Sequence, residues 1–250
     1  MNNYKMLIQY DGGRYKGWQR LGAGENTIQE KIESVLSRFT GEPTEIIGSS
    51  RTDAGVHALA QVANFKTRQS FTEAEVGQYL NEYLPQDICI YEVTTVPENF
   101  HARYHAQGKT YLYKIWNRAY SHPFMRKYSM HVKKELDIGC IKNAATHFLG
   151  EHDFTAFSNA KSNKKSMVRT IYAISIEEEG GFIQIRVTGN GFLYNMVRKM
   201  VGTLLAAGLG EVSADDIPHM IASRQRRQVG YMADACGLYL ERVAYQRDQG

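Results

Sequence analysis

The residues with the most chemical content lie in one polar stretch, Ser49 to His57, which reads SSRTDAGVH. Apolar runs flank it at Thr44 to Gly48 and Ala60 to Phe65. The stretch therefore reads as a loop between strands, where functional side chains concentrate. Asp53 and Gly55 are also ordinary turn residues, and a turn alone would account for the pair. Arg51 adds a second possibility. Positions two apart in an extended segment share a face, so a guanidinium can hold the Asp53 carboxylate ionised and oriented. An ionised, oriented carboxylate is what a nucleophile or general base requires. His57 could assist, although a histidine at the head of a strand is more often structural.

Other chemistries find less support. His101, His105, His152 and Asp153 would suit a metal hydrolase if ligands four apart shared a helical face, but Gly108 and the strand-like KTYLYKI argue against a helix there. Cys89, Cys140 and Cys236 are far apart, without the short paired spacings of disulfide frameworks or zinc sites, and read as reduced, mostly buried thiols. No run approaches the roughly 20 apolar residues of a membrane span. Met1 to Tyr10 has no secretory layout, so a soluble, cytoplasmic protein with no membrane partner is expected.

The 250 residues, 43% hydrophobic and 22% charged, can bury a sizeable core. The net charge of +4 conceals two opposed blocks. Phe71 to Glu98 holds six acids and no lysine or arginine, whereas His101 to Lys134 holds eight basic residues and no acid. In the basic block Tyr104, Tyr111, Tyr113, Trp116, Tyr120, Phe124 and Tyr128 alternate with Arg103, Lys109, Lys114, Arg118, Arg126 and Lys127. Cations neutralise phosphates and rings accept unstacked bases, so the mixture suits nucleic acid. Tyrosine-rich strands with solvated lysines have the same composition. Smaller basic groups sit at Arg14, Lys16 and Arg20, at Lys161, Lys164 and Lys165, and at Arg224, Arg226 and Arg227. With the basic block, the first two are expected to line an RNA trough, and the acidic helix and strand to face away.

The elements that must position Asp53 follow from periodicity. A strand is expected over Tyr4 to Tyr10, and a capping box at Asn26 to Gln29 opens a helix with Ile28, Ile32, Val35, Leu36 and Phe39 on its apolar face. After the two strands around the polar loop come a helix over Thr72 to Tyr83 and a strand over Ile88 to Val96. Beyond His101 the order recurs: a strand over Thr110 to Trp116, a helix over Leu136 to Phe148, a hairpin turning at Gly180 and Gly181, a helix over Tyr194 to Ala207, a short one near Asp215 to Ser223, and a last strand over Gly237 to Tyr245. The expected class is α+β: two similar β-α-β-β-α-β halves, 1–103 with the Asp53 loop and 104–250, forming a joined antiparallel sheet with helices on one face and an RNA-binding cleft on the other.

SSRTDAGVHALAQVANF (Ser49 to Phe65) resembles the active-site motif of the TruA family of tRNA pseudouridine synthases. The resemblance extends through LIQYDGGRYKGWQ (Leu7 to Gln19), FHARYHAQGKTYLYKI (Phe100 to Ile115), HDFTAF (His152 to Phe157), GNGFLYNMVRKMVGTL (Gly189 to Leu204) and GLYL (Gly237 to Leu240), covering nearly the whole chain in order. It implies the pseudouridine synthase fold and isomerisation of uridine to pseudouridine at positions 38, 39 and 40 of the tRNA anticodon arm, by a homodimer without metal or organic cofactor. It implies Asp53 as the catalytic carboxylate, leaving open whether it attacks ribose or base or abstracts a proton. It also implies substrate-binding roles: Tyr111 packing on the target base, Arg51 pairing with the aspartate and filling the gap left by the flipped nucleotide, Arg198 near the aspartate, and Leu238 in the pocket wall. One position departs from the family pattern, Ser50 standing where glycine usually precedes the arginine. The rival readings are a non-catalytic protein that binds structured RNA, and a glycosidase that releases the base.

Overall fold

A computed structural model describes residues 1–22, 24–159 and 166–245; Lys161, Lys164 and Lys165 lie outside the described residues. The chain forms two compact units, Met1–Gln107 with Tyr239–Gly250, and Gly108–Leu238.

In the first unit, β1 (Asn2–Tyr10), α1 (Ile28–Thr40), β2 (Ile46–Gly48), β3 (His57–Thr67), α2 (Glu73–Tyr83) and β4 (Ile88–Val96) follow the expected order. β1 lies between β3 and β4, antiparallel to both, and β2 pairs with β3. Period-2 alternation buries Tyr4, Met6, Ile8 and Tyr10 along β1. α1 buries Ile28, Ile32, Val35 and Leu36, at the helical spacing read from the sequence. Its cap is one residue later than expected: the Thr27 hydroxyl accepts from the Glu30 N–H, while the Gln29 amide oxygen accepts from the Arg20 N–H at 3.0 Å. Gly41 ends the helix at φ +71°. α2 opens with a complete capping box, Thr72 accepting from the Glu75 N–H at 3.2 Å and the Glu75 carboxylate accepting from the Thr72 N–H at 2.7 Å. Thr72→Ala should therefore lower stability by about 1 kcal/mol, read as a denaturant midpoint, with catalysis unchanged.

The second unit contains β5 (Gly108–Trp116), β6 (Met130–His131), α3 (Ile138–Thr146), β7 (Gly150–Asp153), β8 (Val168–Glu179), β9 (Phe182–Gly189), α4 (Met196–Gly208) and α5 (Ile217–Ser223). Its sheet runs β5-β9-β8-β7, antiparallel throughout, with β6 added parallel to β5. Gly180 and Gly181, both at positive φ, make the tight hairpin between β8 and β9. The order β5-β9-β8 repeats β1-β3-β2, so the two halves share their strand order, and β6 and β7 are additions too short to leave a periodic signal.

β10 (Leu238–Ala244) runs parallel to β3, Tyr239 opposite His57 and Leu240 opposite Ala58. This pairing goes with the placing of Tyr239 to Ala244 in the first compact unit, whereas a division at 103/104 puts them in the second half. The cysteines differ from expectation: Cys89 and Cys140 are exposed and Cys236 is half-buried, all as free thiols. Cys89 alternates outward between buried Ile88 and Ile90, and Cys140 lies in the solvent-facing first turn of α3. Among the described residues no helix is long and apolar enough to cross a membrane.

Candidate active site

Asp53 sits in the loop joining β2 to β3. Exposure alternates along it: Arg51 is exposed, Thr52 buried and Asp53 half-exposed. Turning Thr52 inward directs its two neighbours outward, the shared face expected of residues two apart.

The loop is gripped from two sides. Gln61 of β3 is fully buried; its side-chain oxygen accepts from the Ser49 hydroxyl at 2.7 Å and the Ser50 N–H at 3.3 Å, and its amide donates to the Ser50 carbonyl at 2.8 Å. Ser50, half-exposed, is accommodated with its backbone bound in this way. The second grip is the segment after β1, YDGGRYKGWQ. The Trp18 N–H donates to the Thr52 carbonyl at 3.0 Å, the Tyr10 and Thr52 hydroxyls are 2.7 Å apart, and the Gly55 N–H donates to the Tyr15 carbonyl at 3.3 Å. The grip is itself anchored. The carbonyls of Gly17 and Trp18 accept from the Ile28 and Gln29 N–H groups, satisfying donors that the first turn of α1 leaves unpaired. Tyr15 donates to Asp87 at 2.6 Å; burial, reinforced by that bond, pushes the Tyr15 hydroxyl pKa up to about 12.

Glycine is required at two of these close approaches. A Cβ at Gly12 would lie 1.9 Å from the Val56 carbonyl oxygen, and one at Gly17, where φ is +98°, 2.7 Å from that of Thr52. Opposite them the Val56 N–H donates to the Asp53 carbonyl at 3.1 Å, closing a turn through Gly55 at φ +77°. The turn expected of Asp-x-Gly is therefore present, and it fixes the backbone of a residue that stays half-exposed. His57 is 2% exposed and stacks on Tyr239 with ring centroids 4.9 Å apart, and its Nδ1 lies 3.1 Å from the Gly12 nitrogen and 3.0 Å from the Asp11 carboxylate.

The other expected site residues belong to the second unit. Tyr111 on β5 is buried, edge-on to Phe192 at 5.1 Å. Tyr113 is fully buried and donates to the Asp234 carbonyl at 2.7 Å; burial holds its pKa well above the ordinary value, so it remains a donor and ties the chain to β5. Arg198 on α4 is half-buried, its Nε donating to the Ala233 carbonyl at 2.7 Å while the Ala233 N–H returns a bond to the Arg198 carbonyl. Gly202, one turn on, lets this segment touch the helix, since a Cβ there would be 1.8 Å from the Tyr231 carbonyl oxygen. Leu238 is 5% exposed at the start of β10.

The charges separate into spent and available. Arg14 pairs with Asp87, Lys16 with Glu25, and Arg20 with Glu33 and Glu45, which weakens the case for that group as RNA ligands. Asp87, from the acidic block, thereby faces the loop's supports rather than away from them. Arg103, Arg118, Arg126, Lys127, Lys133 and Lys134 are exposed and, among the described residues, have no carboxylate partner. Of the rings in that block only Tyr104, Tyr120 and Phe124 are largely exposed; Tyr111, Tyr113 and Trp116 are core.

Among the described residues no cluster of three histidine, cysteine or acidic side chains is placed to hold a metal. Asp153 accepts from Thr155 and pairs with Arg224, His152 contacts the Leu149 carbonyl, and His101 accepts from the Arg103 and Tyr104 N–H groups. Each has a local structural partner.

The supports Tyr10, Gly12, Gly17, Trp18 and Gln61 were not singled out from the sequence, although all lie within the motifs that carried the family resemblance. A model of tRNA pseudouridine synthase matches residues 6–105 and 144–246. Over 245 residues, 98% of this chain and all of each relative, the chain is 63% identical to tRNA pseudouridine synthase A of Bacillus sp. strain KSM-64 and 61% identical to tRNA pseudouridine synthase A 2 of Bacillus anthracis. The identity is 46% over the same length with tRNA pseudouridine synthase A of Acetivibrio thermocellus.

Proposed function

Since this chain belongs to the tRNA pseudouridine synthase family and isomerises uridine to pseudouridine in tRNA, we propose that Asp53 is its catalytic carboxylate and that the targets are positions 38, 39 and 40 of the anticodon arm. The observation that carries this reading is the Asp53 loop, whose backbone is bound on both sides while Asp53 itself remains half-exposed. A fixed carboxylate in a partly dry site can trap or stabilise the cationic ribose formed as the base departs. The base then rejoins through a ring carbon, which gives up its proton while the nitrogen that left the ribose takes one up, so there is no net oxidation or hydrolysis and no need of a cofactor. Arg51, Tyr111, Arg198 and Leu238 are the proposed substrate contacts. Arg51 is exposed, as a residue that occupies the space of a flipped nucleotide must be. The protein is proposed to act in the cytoplasm as a homodimer.

Incubation with unmodified tRNA transcripts followed by mapping of pseudouridine tests the reading: conversion is expected at 38, 39 and 40, and conversion confined to another arm would defeat it. Recognition of adjacent positions must read backbone and shape, and the uncompensated cations are suited to that. Replacing Arg126 and Lys127 with glutamine should flatten the plot of log affinity against log salt by about 0.7 to 0.9 for each phosphate no longer neutralised. An unchanged slope would show that this loop does not touch RNA.

A further inference from the structure

We propose that Tyr10 is a positioning residue for the isomerisation: its hydroxyl, through Thr52, sets the direction of the Asp53 carboxylate. The inference rests on the reading of Asp53 as catalytic. Tyr10 closes β1 and is 4% exposed; its hydroxyl lies 2.7 Å from that of Thr52, itself 5% exposed. Thr52 is held at a second point, its carbonyl, by the Trp18 N–H at 3.0 Å. Two bonds at different ends of one residue fix its rotation as well as its place. Because Thr52 and Asp53 are adjacent in the chain, a change in the rotation of Thr52 is passed on through the shared peptide to Asp53.

Without the Tyr10 hydroxyl, a buried threonine hydroxyl is deprived of a partner and is stabilised by turning toward another. The carbonyl bond would persist as a pivot. A carboxylate displaced by a fraction of an ångström loses reactivity far more than its protein loses stability, since rates depend steeply on near-attack geometry. Tyr10 is thus expected to act on the chemical step while leaving tRNA binding alone.

β1 supplies its own control. Tyr4, on the same buried face and 2% exposed, also hydrogen-bonds through its hydroxyl, but to the backbone of Phe71, donating to its carbonyl at 3.0 Å and accepting from its N–H at 2.9 Å. Tyr10→Phe and Tyr4→Phe each remove one buried hydroxyl from the same strand face, and the hydroxyl that bonds Thr52 is that of Tyr10.

The test is single-turnover pseudouridine formation with saturating enzyme, alongside tRNA affinity and thermal midpoint, for Tyr10→Phe, Thr52→Val, their double variant, Thr52→Ser and Tyr4→Phe. Tyr10→Phe and Thr52→Val should each slow conversion about tenfold, the effect of removing one oriented hydrogen bond, with unchanged affinity. The double variant should be no slower than either single one, because both remove the same bond. Thr52→Ser, which keeps the hydroxyl, should retain the normal rate, and so should Tyr4→Phe. A normal rate for Tyr10→Phe, a double variant slower by the product of the two single effects, or equal slowing by Tyr4→Phe would each overturn the proposal. Asp53→Asn, run in parallel, separates the two ideas: an inert Asp53→Asn beside an unaffected Tyr10→Phe refutes only the role of Tyr10, and an active Asp53→Asn refutes the reading beneath it.

Discussion

Asp53→Asn should reduce pseudouridine formation by at least about 10³-fold while tRNA affinity stays near that of the unaltered protein. The substitution keeps the side chain's shape and removes its charge and nucleophilicity. Several bonds that hold the loop's backbone are made by other groups and survive the substitution: Thr52 is fixed by Tyr10 and Trp18, Ser50 by Gln61, and the turn by the Val56 N–H. A protein that merely bound structured RNA would bind tRNA through Asp53→Asn without any activity to lose. A base-releasing glycosidase would liberate free uracil in the unaltered enzyme, which chromatography of the reaction mixture would detect. Conversion by Asp53→Asn at the normal rate would remove Asp53 from the mechanism.

Gly17→Ala should be strongly damaging although it lies outside the loop, costing on the order of 3 kcal/mol and a large part of the activity. Two penalties combine there. The backbone has φ +98°, a region L-residues rarely adopt, and the new methyl would sit 2.7 Å from the Thr52 carbonyl oxygen and 3.1 Å from the carbonyl carbon of Asp53. Neither neighbour can yield without moving the loop, because these are backbone atoms. Gly41→Ala isolates the first penalty: φ is +71° with nothing within 4 Å of the added carbon, so about 1 kcal/mol and full activity are expected. Thermal midpoints and turnover of the two variants check the comparison. Equal losses would mean that Gly17 serves only backbone conformation and not close approach to the loop.

Much of this architecture is readable from residue patterns because its signals are local. The apolar spacing of α1, the Thr72 cap of α2, the alternation along β1 and the Gly180-Gly181 turn each act over a few residues. Elements whose determinants are tertiary left no such trace. β6 is two residues long and β7 four, and no periodicity can be read from so few positions. The placement of β10 depends on its parallel pairing with β3, in which partners stand 182 residues apart in the chain. The one-residue shift of the α1 cap arises because the Gln29 amide is engaged by Gln19 and Arg20.

The same division runs through the site. The sequence by itself determined that an aspartate stands between two strands with an arginine two residues before it, and the family motifs around it determined the reaction class. Chemistry of that kind resides in residue identity, which a sequence states directly. Only the tertiary structure decided which charges remain available, since Arg14, Lys16 and Arg20 look no different in sequence from Arg118, Arg126 and Lys127 until their carboxylate partners are seen. It also decided which tyrosines are core and which are surface. And it showed what holds Asp53: Gly17, Trp18 and Tyr10 lie more than thirty residues before the loop, and a clamp made of backbone contacts and one buried pair of hydroxyls exists only once β1 and β3 have paired.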